Sequence, residues 1–103
     1  MLPKNTTQFY WTNHVKGKML FYRLGEQRIR RVIASPKRRE DGVAPNTVAL
    51  MQRNDTPKRK EEIWVMMQHS EKLKVQSGKG RRMIVISAWR YPGVSKPREG
   101  VPM

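Results

Sequence analysis

The chain has 103 residues with 22 Lys and Arg against 8 Asp and Glu, a formal net charge of +14 and a sequence pI near 11.0; this is the length of one compact domain, with the charge of a polyanion binder. It contains no cysteine and only two histidines, which excludes disulfide frameworks, thiolate zinc and thiol nucleophiles and leaves no metal or other cofactor expected. No apolar run approaches a membrane span and the opening MLPKNTTQFYW lacks the core of a secretory signal, so a cytoplasmic protein without a membrane partner is expected.

Gln8-Phe9-Tyr10-Trp11-Thr12 is rich in aromatic residues and reads as a short strand at a sheet edge, with Asn13 placed to cap a helix beginning at His14. From His14 to Leu24, Val15, Met19 and Tyr22 recur at helical spacing while Lys16, Lys18 and Arg23 project elsewhere, and Gly25 closes the helix. Glu26 to Ala34 repeats the pattern: Ile29, Val32 and Ile33 form the apolar stripe, Arg28, Arg30 and Arg31 cover the rest, and Ser35-Pro36 ends it. The two make a basic helical hairpin.

The segment from Pro36 to Asn46 is polar, rich in turn residues and without apolar period, and reads as a loop. Thr47 to Gln52 and Glu62 to Gln68 are apolar runs joined by a basic tip, an antiparallel hairpin; Leu73-Lys74-Val75 is a ragged continuation and Ser77-Gly78-Lys79-Gly80 a flexible turn. Met83 to Arg90 is the most strand-like segment, apolar on both faces and so placed centrally. Helices followed by strands predict an α+β fold: two N-terminal helices packed on one face of a three- to four-stranded antiparallel sheet, as one domain over residues 8–91, with 92–103 an extended or disordered basic tail.

Three groups of residues carry candidate chemistry. Arg28, Arg30, Arg31, Lys37, Arg38 and Arg39 run from helix to loop, and Lys58, Arg59, Lys60, Lys79, Arg81 and Arg82 occupy predicted hairpin tips; such cations neutralise phosphates without reading sequence. Trp11, Trp64, Trp89 and Tyr91 accompany them. Aromatics between cations stack single-stranded bases, although mid-strand Trp64 reads better as core, and for Trp89 and Tyr91 both roles stand open. His14, His69 and Glu62 are the candidate proton-transfer groups, with Arg90, Lys18 or Lys16 to hold a developing phosphorane charge. A glycine-rich phosphate loop, a nucleophile elbow, HExxH and a dense acidic cluster are all missing, which disfavours nucleotide hydrolysis and metal-dependent nuclease chemistry.

The stretch from His14-Val15 through Met19, then Tyr22-Arg23-Leu24-Gly25, Arg30-Arg31-Val32-Ile33 and Ser35-Pro36, resembles the opening of small RelE/BrnT-like toxin ribonucleases, in a branch that begins with a His and a Met-containing helix. Ile84-Val85-Ile86-Ser87-Ala88-Trp89-Arg90 is similar to that family's last strand, an apolar run followed by Ser, a small residue and Arg. The resemblance implies a fold like that of microbial ribonucleases and metal-independent action on RNA, often on the ribosome, with an acidic antitoxin protein as a further partner. His14 matches the opening histidine and Arg90 the final arginine. Trp89 between Ala88 and Arg90, the Tyr91-Pro92-Gly93 continuation and the basic tail depart from the pattern.

The expectation is therefore a metal-independent RNA-cleaving domain with His14, Glu62 and Arg90 catalytic and Lys18, Arg28, Arg30, Arg31, Lys37, Arg38, Arg39, Trp89 and Tyr91 holding RNA. Its alternatives are a non-catalytic RNA-binding protein on the same scaffold and a basic domain that meets an acidic protein. Convergence of His14, Glu62 and Arg90 on one point separates the first from the second.

Overall fold

The computed structural model describes residues 2–6, 8–42, 44–74 and 81–96. In chain order these form β1 (Phe9–Trp11), α1 (Asn13–Tyr22), α2 (Glu26–Ala34), β2 (Arg38–Asp41), β3 (Thr47–Arg53), β4 (Glu61–Lys74) and β5 (Arg81–Pro92). The expected turn at Ser77-Gly78-Lys79-Gly80, Val75 and residues 97–103 lie outside the described residues, as do the side chains of His69, Arg81 and Arg82. Among the described residues no helix is long and apolar enough to cross a membrane.

The α+β class and the two helices are as expected, but the sheet is five-stranded and mixed, in the order β1-β5-β4-β3-β2. β1 runs parallel to β5, with Tyr10 beside Ile84, and the other pairs are antiparallel. β2 takes the place of the expected loop. Its sequence, Arg-Arg-Glu-Asp, has no apolar alternation, and it is a strand because Arg38 to Asp41 pair with Met51 to Val48. A short, charged strand is also what a sheet edge needs to resist further pairing. The other edge is closed by side chains: the amides of Phe9 and Trp11 donate to Thr6 Oγ1 at 3.0 Å and Asn5 Oδ1 at 2.7 Å.

Thr12, not Asn13, caps α1, its hydroxyl oxygen accepting from the Val15 amide at 3.1 Å. The same hydroxyl lies 3.0 Å from the Ile86 carbonyl, so the cap also ties the start of α1 to β5. The helix ends at Tyr22, earlier than expected. Arg23 takes the left-handed conformation (φ 56°, ψ 48°) and the amide of Leu24 reaches back to the Met19 carbonyl at 2.9 Å, which closes the last turn. Gly25 instead opens α2.

Both helices lie on one sheet face. Val15 and Met19 of α1 and Ile29 and Val32 of α2 pack on Val48, Leu50, Ile63, Val65, Met67, Val85 and Ala88. The opposite face carries a second cluster of Ala49, Met51, Trp64 and Trp89. Trp64 and Trp89 are directly opposite each other on β4 and β5, and their rings stack with centroids 5.9 Å apart and planes 3° from parallel.

The start of the expected free tail is packed. Gly93 (φ 91°) turns the chain after β5, its amide donating to the Lys60 carbonyl at 2.8 Å, and Ser95 is buried against Glu62. A buried carboxylate needs donors, and this segment supplies two of them.

Candidate nucleic-acid interface

The start of β2, the end of β3, the start of β4 and the end of β5 share one end of the sheet, and the C-terminal end of α1 lies above it. Strand alternation divides two neighbouring carboxylates there: Glu61 faces the helices and Glu62 faces away.

On the helix side, Glu61 accepts from Arg90 Nη1 at 2.8 Å and from Asn54 Nδ2 at 2.7 Å. Arg90 also donates through Nε to the Tyr22 carbonyl at 2.7 Å, which fixes the end of α1 over β5. Arg28 donates to Gln52 Oε1 at 2.6 Å, and Gln52 in turn donates to the carbonyls of Arg31 and Ser35. The charged form of Arg28 is disfavoured first by burial and then by the neighbouring cations Arg31 and Arg90, with Glu61 acting in the opposite sense. Burial also works against the charge of Glu61, but hydrogen bonds from Asn54 and Arg90 prevail and hold its carboxyl below the usual range.

On the far side Glu62 is fully buried. It accepts from Trp64 Nε1 at 2.8 Å, Arg53 Nη1 at 2.9 Å, the Ser95 amide at 3.0 Å and Ser95 Oγ at 2.6 Å. Burial opposes its charge, and the bonds from Ser95 and Trp64, with the nearby Arg38 cation, hold its carboxyl below the usual range. Arg38 pairs with Glu40, donates to the Ser95 carbonyl at 2.9 Å and lies 5.1 Å from the Trp64 ring centre. Beside it opens a cleft of about 420 Å³ whose walls include Lys37, Arg38, Arg53 and Lys60 as well as Asp55 and Glu62.

The three expected catalytic residues are not brought together. His14 is exposed on the first turn of α1 and Arg90 holds the far end of that helix; at about 1.5 Å per residue, His14 stands about 12 Å along the axis from Tyr22. Glu62 is on the other face of the sheet with its oxygens occupied by protein donors, so it offers no free lone pair at the surface. The carboxylate that meets Arg90 is its neighbour, Glu61.

The expected RNA contacts are scattered in the same way. Arg28 and Arg31 join Arg90, Lys37 and Arg38 border the cleft on the opposite face, and Arg39 is exposed on β2. Arg30 packs over the Phe9 ring at 4.8 Å and pairs with Glu26 at 2.8 Å, and Lys18 lies 5.8 Å from the Tyr22 ring centre. Trp89 is 5% exposed and stacked on Trp64, so its faces are used in packing, while Tyr91 beside it is half-buried. The strongly exposed ring is Phe21, at 77%, which is not among the aromatics that the sequence puts forward. Its signal is nonetheless legible: Leu20 and Phe21 fall off the Val15, Met19, Tyr22 stripe and so must face outward. Among the described residues no cluster of His, Asp and Glu is grouped as a metal site requires.

Comparisons with protein families, curated proteins and solved structures find no match to this chain, so the likeness to RelE/BrnT-like toxins rests on its short sequence motifs alone.

Proposed function

We propose that the protein binds single-stranded RNA without cleaving it, with the phosphate backbone held at the cationic end of the sheet. One observation carries this reading: Arg28, Arg31 and Arg90 gather at this end of the sheet, where Arg90 pairs with Glu61 at 2.8 Å and the charge of Arg28, already disfavoured by burial, is disfavoured further by Arg31 and Arg90. Crowded like charges cost folding free energy, and a bound phosphate offsets that cost where solvent does so only in part. The net charge of +14 supplies long-range attraction to the same ligand. The separation of His14, Glu62 and Arg90 favours a binder over an enzyme, because an enzyme needs convergent groups and a binder needs only cations within reach of the phosphates.

The test is retention of labelled single-stranded RNA in EDTA over a range of salt concentrations, with intact and cleaved RNA resolved afterwards. Retention that falls steeply with salt, with intact RNA, is the expected result. Arg31→Ala, at an exposed position, lowers the salt slope by about one. Discrete cleavage by the wild-type protein and its absence in Arg90→Ala would overturn the non-catalytic reading, and absence of retention at low salt would overturn RNA binding itself.

A further inference from the structure

Helix α1 presents an outer face that the fold does not use. Leu20 is 66% and Phe21 77% exposed, His14 and Gly17 are exposed on the same side, and a Cβ at Gly17 meets nothing within 4 Å. A mid-helix glycine at a position with open space around it gives up helix stability without a packing return. It leaves a flat floor between His14 and Phe21, which are seven residues apart on one helix face.

The charges that α1 and the residue after it carry beside this face are cationic. No acidic residue precedes Glu26, while Lys16, Lys18 and Arg23 flank the exposed residues. Phe21 stands edge-on to Tyr22, with centroids 4.9 Å apart, and Lys18 lies over the Tyr22 ring. The carbonyls of Tyr22 and Arg23 are the ones to which Arg90 donates, so Phe21 immediately precedes the backbone that Arg90 anchors. An apolar partner alone would not call for this charge, and an acidic ligand alone would not call for an outward-facing ring.

We infer that Phe21 is the base-stacking platform of the RNA site: an unpaired base lies on its outer face while the flanking phosphates meet Lys18, Arg23 and the Arg28–Arg31–Arg90 cluster. This rests on the RNA-binding reading and assigns to it the residue that contacts a base. The physical basis is that every base has a π-face and that an exposed ring amid cations accepts it with little dependence on sequence. The three tryptophans, at 1%, 0% and 5% exposure for Trp11, Trp64 and Trp89, have no free face for this.

The experiment measures the affinity of the full chain for a single-stranded RNA oligomer and for inorganic polyphosphate, which has the charge and no bases. The variants are Phe21→Leu, which keeps apolar bulk without a ring, and Phe21→Trp. Stacking predicts that Phe21→Leu weakens RNA binding about tenfold and leaves polyphosphate binding unchanged, and that Phe21→Trp restores RNA binding with emission quenched on RNA addition. Equal affinity of Phe21→Leu and wild type for RNA would overturn the assignment while leaving the basic site in place, and so would an equal loss on RNA and polyphosphate. Failure of the wild-type protein to bind RNA at all would remove the underlying reading instead. A patch that serves a protein partner gives the first of these results.

Discussion

Glu61 and Glu62 are consecutive on β4, yet their carboxylates lie on opposite faces of the sheet and hold different arginines, Arg90 at 2.8 Å and Arg53 at 2.9 Å. The first ties the end of α1 to β5 through Arg90, and the second ties the segment after β5 back to the sheet through Ser95. A single step of strand alternation thus separates a carboxylate at the candidate RNA site from a carboxylate that organises the core.

Glu62→Ala is expected to destabilise the protein by about 3 to 5 kcal/mol, because it leaves Arg53, Trp64 Nε1 and both Ser95 donors facing a buried gap. Ser95→Ala removes the bond from its hydroxyl to Glu62 and the longer one that the hydroxyl accepts from Arg38 at 3.2 Å, but keeps the backbone donor, so about 2 kcal/mol is expected. Urea unfolding followed by tryptophan emission measures both. An unchanged midpoint for Glu62→Ala would show that the buried carboxylate contributes nothing to the fold.

Stability is expected to hold near neutral pH and to decline on acidification. Glu61 and Glu62 have carboxyls below their ordinary values in the folded protein. The unfolded chain therefore takes up protons first: the stabilisation is complete above the unfolded carboxylate value of about 4.3 and is lost as pH falls through the folded values. Denaturation midpoints measured from pH 7 to pH 3 check this, and the double variant Glu61→Gln with Glu62→Gln should flatten the decline from a lower starting stability.

Gly17→Ala should stabilise the protein by about 0.5 to 1 kcal/mol, because the position is helical, exposed and open. Thermal unfolding reads the gain. A loss would mean that the glycine has a role within the folded chain itself.

Trp89→Ala is expected to cost about 3 to 5 kcal/mol of stability, since it removes a buried ring stacked on Trp64. Its effect on RNA affinity, measured under conditions where the variant stays folded, should be smaller than that of Phe21→Leu. The opposite order would return the stacking role to the tryptophan that the sequence had put forward.

Much of the architecture is written locally. The Ile29, Val32 stripe of α2 and the apolar runs of β3, β4 and β5 announce their elements because a 3.6-residue or two-residue period needs no knowledge of the rest of the chain. The charge that predicts a polyanion is a sum over the sequence and needs no fold at all. β2 was hidden because a strand of Arg, Arg, Glu and Asp is made by its partner, and the parallel union of β1 with β5 joins segments more than 70 residues apart. Which of two adjacent glutamates meets Arg90 depends on the face each occupies, and a single step in register exchanges them. The same holds for the aromatics. Composition alone told that rings and cations occur together, but only packing decided that the tryptophans are used inside and that Phe21 is left outside, because burial is a property of neighbours brought from distant parts of the chain.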